Sequence, residues 1–192
     1  MILASKSPRR KEILESVGFN LKIISVDIDE CSDEIDICDK IKDIAYKKVK
    51  AVADRYPDEY VVGADTIVEL DGEIIGKPKD EREAYEILKR LSGRTHNVIT
   101  AYSFINRKKN LETKDCSVTK VYFKELSDEM IEWYIGTKEP MDKAGAYGIQ
   151  EKGAIFVEKI EGDFFTVMGF PIERFMERLL NLGVKLKEIE RI

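Results

Sequence analysis

Met1-Ile-Leu-Ala4-Ser5-Lys6-Ser7-Pro8-Arg9-Arg10 is the stretch that decides the fold class. The apolar residues Met1 to Ala4 read as a short buried strand. Ser7 is a good N-cap and Pro8 a good first helical residue, so a helix runs from Pro8 to Val17 and stops at Gly18. A strand that passes straight into a helix opens an α/β unit. Arg9 and Arg10 then fall in the first turn, where the helix end carries partial positive charge and repels cations. Two arginines set against the dipole make sense if an anion binds there. Backbone N–H groups, the hydroxyls of Ser5 and Ser7 and two guanidinium forks would together cradle a phosphate. The bland alternative is that both arginines point into solvent or pair with acids such as Glu12.

Working outward, Phe19 to Val26 alternates as a strand and leads into an acidic run, Asp27 to Glu34. A second helix is predicted from about Asp39 to Tyr56, ended by Pro57. Tyr60 to Leu70 is a Val- and Ile-rich strand that turns at Asp71-Gly72 into a short return, Glu73 to Gly76. A helix begins at Asp80, with Ala84, Ile87, Leu88 and Leu91 on one face, and closes at Gly93. Two long strands, Thr95 to Asn106 and Leu111 to Leu126, flank the turn at Arg107 to Asn110. Ser127 to Ile135 is helical, with Asp128 and Glu129 in the first turn as the dipole prefers. Lys138 to Gly153 reads as a Gly-rich functional loop. Strands over Ala154 to Ile160 and Phe164 to Met168 come next. A final helix starts at Pro171 and ends at Gly183. The sum is a single α/β domain over residues 1–192, with a mixed twisted β-sheet flanked by helices and no internal repeat.

Several residues outside the first turn are placed for chemistry. Asp65, in Val61-Val-Gly-Ala-Asp65-Thr66, is a carboxylate on an apolar strand next to small residues that allow a ligand close. It is either a metal ligand or base, or a turn residue facing solvent. Glu30 belongs to the acidic run and by itself reads as a solvated loop residue. With Asp65 it would make a pair of hard-ion ligands. Lys48 by itself suits a solvated helix face, whereas Lys77, in Gly76-Lys77-Pro78, suits a point charge for phosphate. The loop Met141 to Gln150 combines a charge pair, two glycines and, in Gln150, an amide able to read a base edge.

Composition narrows the classes further. The 192 residues are 43% hydrophobic and 36% charged, enough for a hydrophobic core. A net charge of −5 gives no general affinity for nucleic acid, and no stable nucleic-acid binding is expected. No apolar run reaches the roughly 18 residues that span a bilayer, and no signal-peptide pattern is present, so a cytoplasmic location is the expectation. Cys31, Cys38 and Cys116 show neither a disulfide framework nor zinc spacing and are expected to be ordinary thiols. His96 is the single histidine, so any metal must rely on carboxylates, which favours Mg²⁺ or Mn²⁺.

Taken in order, the motifs Ala4-Ser5-x-Ser7-Pro8-Arg9-Arg10, Gly63-Ala64-Asp65-Thr66, Gly76-Lys77-Pro78, Ser92-Gly93-Arg94-Thr95-His96 and Asp142 to Gln150 resemble the Maf nucleotide pyrophosphatases. The match covers nearly the whole chain. The resemblance implies an elongated fold of two lobes around a central cleft, like that of the inosine triphosphate pyrophosphatases, and often a homodimer. It implies hydrolysis of a nucleoside triphosphate to its monophosphate and pyrophosphate with a divalent cation, Mg²⁺ or Mn²⁺, with Co²⁺ as a third candidate. Asp65 then takes the role of proton acceptor and, with Glu30, of metal ligand. Ser5, Ser7, Arg9, Arg10, Lys48 and Lys77 become phosphate-binding residues. Arg10, Thr66 and Gln150 tune specificity. Thr66 and Gln150 look like the branch acting on dTTP and UTP, with CTP and modified pyrimidine nucleotides as further substrates, rather than the 7-methyl-GTP branch. Met168 and Phe170 depart from the family's usual Val-Gly-Leu-Pro wording. Competing readings are a purine (ITP or XTP) pyrophosphatase and a nucleotide-binding regulator of septum formation that does not turn its ligand over.

Overall fold

The computed structural model of the chain describes residues 1–191, which divide into two compact units. Unit 1 comprises Met1–Asp65, Thr100–Ser117 and the chain from Gly169 onward; unit 2 comprises Thr66–Ile99 and Val118–Met168. The elements up to the first hairpin are β1 (Ile2–Leu3), α1 (Pro8–Ser16), β2 (Lys22–Ile23), α2 (Ile37–Ala53), β3 (Val61–Leu70) and β4 (Glu73–Ile75). Then come α3 (Glu81–Leu91), β5 (Thr95–Asn106), β6 (Leu111–Phe123), α4 (Asp128–Gly136), β7 (Val157–Glu161), α5 (Phe164–Met168) and α6 (Ile172–Asn181), with short 3₁₀ turns between α4 and β7. The strands follow the order β2-β1-β3-β5-β6-β7, with β4 paired to β3. Pairing is parallel for β1 with β2 and β3, and antiparallel for β3–β4 and β6–β7. The mixed α/β sheet expected from the sequence is therefore what forms. Among the described residues no helix is long and apolar enough to cross a membrane.

In unit 1 the apolar side of α2 (Val49, Val52, Ala53) packs on Ile2, Ala4 and Val61. Gly63 is what lets helix and strand close, since a Cβ there would stand 2.8 Å from Val49 Cγ2. A second cluster is aromatic: Phe175 lies 5.1 Å from Phe170, 5.4 Å from Tyr102 and 5.7 Å from Phe104 between ring centroids. The β2 strand is shorter than the predicted Phe19 to Val26, because its partner β1 offers only Ile2 and Leu3 for pairing. Cys38 and Cys116 form a disulfide with Cα atoms 5.9 Å apart, correcting the expectation of unpaired thiols; Cys31 alone remains a free cysteine, and it is exposed. The two partners are 78 residues apart in sequence, so no local spacing announced them.

Unit 2 has its own core, built from Leu88 and Leu91 of α3, Ile131 and Tyr134 of α4, Val121 and Phe123 of β6, and Tyr147. The predicted Asp71-Gly72 hairpin forms with φ of 55° and 84° at the two residues, as a type I′ turn requires. Phe164 to Met168, by contrast, is helical and not a strand. Asp163 decides this: its carboxylate accepts from the backbone N–H groups of Phe165 (3.2 Å) and Thr166 (2.7 Å), capping a helix that apolar composition alone does not suggest. His96 is buried edge-on against Phe123 and Tyr147, with Nε2 2.8 Å from the Tyr147 hydroxyl.

Two outcomes follow for stability. The Cys38–Cys116 bridge closes a long loop in the unfolded chain, so reduction or Cys38→Ser is expected to lower the unfolding free energy by about 2–4 kcal/mol in denaturant titrations. Burial pushes the His96 imidazole from its ordinary 6.5 down to about 4. The unfolded chain therefore takes up the proton first as pH falls. The contribution of neutral His96 is complete above pH 6.5 and is lost as pH drops through about 4, a change on the order of 3 kcal/mol. Unfolding curves of wild type and His96→Gln across that range should converge at the acid end; parallel profiles would exclude His96 as the titrating group.

Candidate active site

The first turn of α1 forms as its sequence dictates. Ser7 is the N-cap, with its hydroxyl 3.5 Å from the Arg10 backbone N–H; Pro8 follows, and no acidic residue occupies the turn. Arg9 and Arg10 thus stand against the helix dipole. Ser5, nearly buried at the end of the first strand, accepts from the Ser7 backbone N–H at 3.2 Å and from Arg10 Nη1 at 3.1 Å. Arg10 Nε donates to the carbonyl of Gly169 at 3.0 Å.

A second constellation in unit 1 joins three residues far apart in sequence. Lys48 Nζ lies 2.6 Å from Asp65 Oδ1 and 2.9 Å from Glu30 Oε1. Asp65 and Lys48 side chains are only 16% and 17% exposed, whereas Glu30 is 60% exposed, so the pair is sheltered and the glutamate closes it from the solvent side. The geometry follows from packing: Val49 rests on Gly63, which places the neighbouring Lys48 beside Asp65 two residues along β3.

The arginine turn and the acidic pair belong to one electrostatic neighbourhood. Burial lowers the Arg10 pKa from its ordinary value; the charge of Asp65 opposes this, Arg9 adds to the lowering, and Glu30 opposes it again. A guanidinium stays charged under such pressure. Ser5, Ser7, Arg9, Arg10, Glu30, Lys48 and Asp65 are accordingly all found in unit 1. An anion met there would find guanidinium and ammonium groups and a capped helix N-terminus.

Thr66, Lys77 and Gln150 belong to unit 2. Lys77 is exposed just past β4. The carbonyl of the preceding Gly76 accepts from the Gly145 backbone N–H at 3.0 Å, which ties the Gly-Lys-Pro segment to the Gly-rich loop. Gly145 has a φ of 70°, and a Cβ on it would come within 2.6 Å of Val68 Cγ2, so the close approach requires glycine. The predicted charge pair forms: buried Lys143 Nζ lies 2.9 Å from Asp142 Oδ1 and 3.0 Å from Glu151 Oε2, and it donates to the Glu139 carbonyl at 2.8 Å. The Gln150 side-chain Nε2 is buried and has no hydrogen-bond partner among the described residues.

The Gly169 carbonyl on Arg10 leaves no residue-type signature in the sequence, being a backbone acceptor. Local pattern alone makes Glu30 and Lys48 read as surface residues, since only tertiary packing joins Lys48 to Glu30 and Asp65.

A family model described as Maf-like protein matches residues 1–182. A dTTP/UTP pyrophosphatase of Fusobacterium nucleatum is 52% identical over 192 residues, covering 100% of this chain and 100% of that protein. One from Alkaliphilus oremlandii is 53% identical over 189 residues, covering 97% and 94%. One from Pyrococcus abyssi is 49% identical over 185 residues, covering 96% and 97%. With the family model spanning nearly all of the sequence, and with relatives near half identical along their full lengths, the chain belongs to the Maf-like protein family.

Proposed function

We propose that this protein hydrolyses dTTP and UTP, with CTP and modified pyrimidine nucleotides as further substrates, to the monophosphate and pyrophosphate. The role is to clear such nucleotides from the pool, in the cytoplasm and as a homodimer. The observation that carries the reading is the sheltered Lys48 ammonium joined to both Asp65 and Glu30, in the field that also acts on Arg10. Names of the closely similar relatives supply the substrate class.

The donor set suits a hard divalent cation. Among the described residues no cluster of three or more His, Cys, Asp or Glu could hold a metal, but Mg²⁺ is commonly bound by one or two carboxylates and completed by substrate phosphates. Asp65 and Glu30 would provide those carboxylates for Mg²⁺, Mn²⁺ or Co²⁺, and the bound ion would neutralise phosphate charge. Lys48 holds the two acids together against their mutual repulsion.

In the reaction, Asp65 orients a water and takes its proton as the water oxygen bonds to the α-phosphorus. The bond from that phosphorus to the bridging oxygen breaks, and pyrophosphate leaves with the electron pair. Arg9, Arg10 and Lys48, with the hydroxyls of Ser5 and Ser7, bind phosphate oxygens and stabilise the charge that builds on them. On unit 2, Lys77 is the further phosphate-binding candidate, and Thr66 and Gln150 select the base. A buried amide donor such as Gln150 Nε2 costs roughly 1–3 kcal/mol while unsatisfied, so a base acceptor that pairs with it is favoured over one that does not.

Asp65→Asn keeps the side-chain shape and removes the proton acceptor. It is expected to cut pyrophosphate release from dTTP by about 10²–10⁴-fold with an unchanged circular-dichroism spectrum; near-normal turnover would remove Asp65 from the mechanism. In the same assay wild type should prefer dTTP and UTP over ITP and 7-methyl-GTP and should stop when Mg²⁺ is withheld. Binding of dTTP without any turnover would favour the regulatory reading instead.

A further inference from the structure

Arg10 is fixed at two points of one planar group: Nε donates to the Gly169 carbonyl at 3.0 Å and Nη1 to Ser5 Oγ at 3.1 Å. Two bonds from a rigid fork define its plane as well as its position. The acceptors share a property that matters for an anion site, since both are uncharged. A carboxylate in the place of either would pair with the guanidinium and compete with a phosphate. A carbonyl accepts from the N–H without bringing a negative charge of its own.

The Gly169 carbonyl is itself firmly placed. Gly169 is buried and has a φ of 113°, a region closed to residues with a Cβ. Next to it Phe170 is fully buried, its ring 5.1 Å from Phe175 and 5.8 Å from Tyr102. Pro171 follows, with its backbone angle restricted by its ring. The carbonyl is thus anchored on one side by the aromatic core of unit 1 and reaches Arg10 on the other.

We infer that Gly169 is a positioning residue for Arg10: its carbonyl, held by Phe170 in the core, sets the orientation in which the guanidinium meets the substrate's phosphates. The inference rests on the assignment of Arg10 to phosphate binding made above. It gives the Gly169-Phe170-Pro171 segment a functional reason to carry glycine at its head, because a side chain at a φ of 113° would strain the backbone that aims the carbonyl.

Two measurements test it. In ¹⁵N-labelled protein the Arg10 Nε–H, assigned by its loss in Arg10→Lys, should exchange with solvent at least roughly tenfold more slowly than that of exposed Arg82, and the protection should vanish in Gly169→Ala. Equal exchange at Arg10 and Arg82 in the wild type would overturn the inference without any variant having to fold. In the second measurement, Gly169→Ala is expected to lower kcat/KM for dTTP by about 10²-fold, the effect of a misplacement near 1 Å. In an Arg10→Lys background, where no guanidinium remains to be oriented, the same change should cost no more than roughly twofold. Losses that multiply in the double variant would show that Gly169 acts on something other than Arg10 and would overturn the inference. Protection that is lost in Gly169→Ala, with Arg10→Lys turning over at wild-type rates, would uphold the carbonyl's hold on Arg10 and overturn the assignment of Arg10 to the phosphates.

Discussion

Helix α2 rests directly on strand β3 because Gly63 has no Cβ to hold Val49 away. The chemistry assigned to unit 1 depends on that contact. It brings Lys48 within 2.6 Å of Asp65 in a sheltered place, and it draws in Glu30 from a loop that would otherwise be solvated. The sheltered Lys48–Asp65 pair is stable only where geometry is good, since desolvation of both groups must be offset by their mutual attraction.

The arginine turn solves the complementary problem of holding positive charge near a helix N-terminus. Left alone, Arg9 and Arg10 would repel the dipole and each other. Arg10 donates to acceptors on Ser5 and Gly169, and the charges of Asp65 and Glu30 favour its protonated form. Unit 1 therefore holds an oriented guanidinium at Arg10 and an ammonium at Lys48 paired with two carboxylates.

Unit 2 shows a different use of the same physical rules. Its Gly-rich loop is stiffened by a buried lysine bonded to two carboxylates and a carbonyl, and by Gly145 packed on Val68. The loop that carries Gln150 is thereby held by contacts made within unit 2.

Local signals were enough for α1, with Ser7, Pro8 and Gly18 marking its ends, for the hairpin at Asp71-Gly72, and for α3 between Asp80 and Gly93. These depend on backbone angles and caps that neighbouring residues specify by themselves. Candidate residues were legible where their type conflicted with their surroundings: arginines on a positive helix end, and an aspartate in an apolar strand. The tertiary structure alone decided the rest. Cys38 met Cys116, Lys48 met both Asp65 and Glu30, and the Gly169 carbonyl met Arg10 across separations that no periodicity encodes. Phe164 to Met168 became a helix because the side chain of Asp163 capped it, against the β-propensity of its own residues. Pairings of that kind are set by which surfaces pack together, and a one-dimensional pattern holds no record of them.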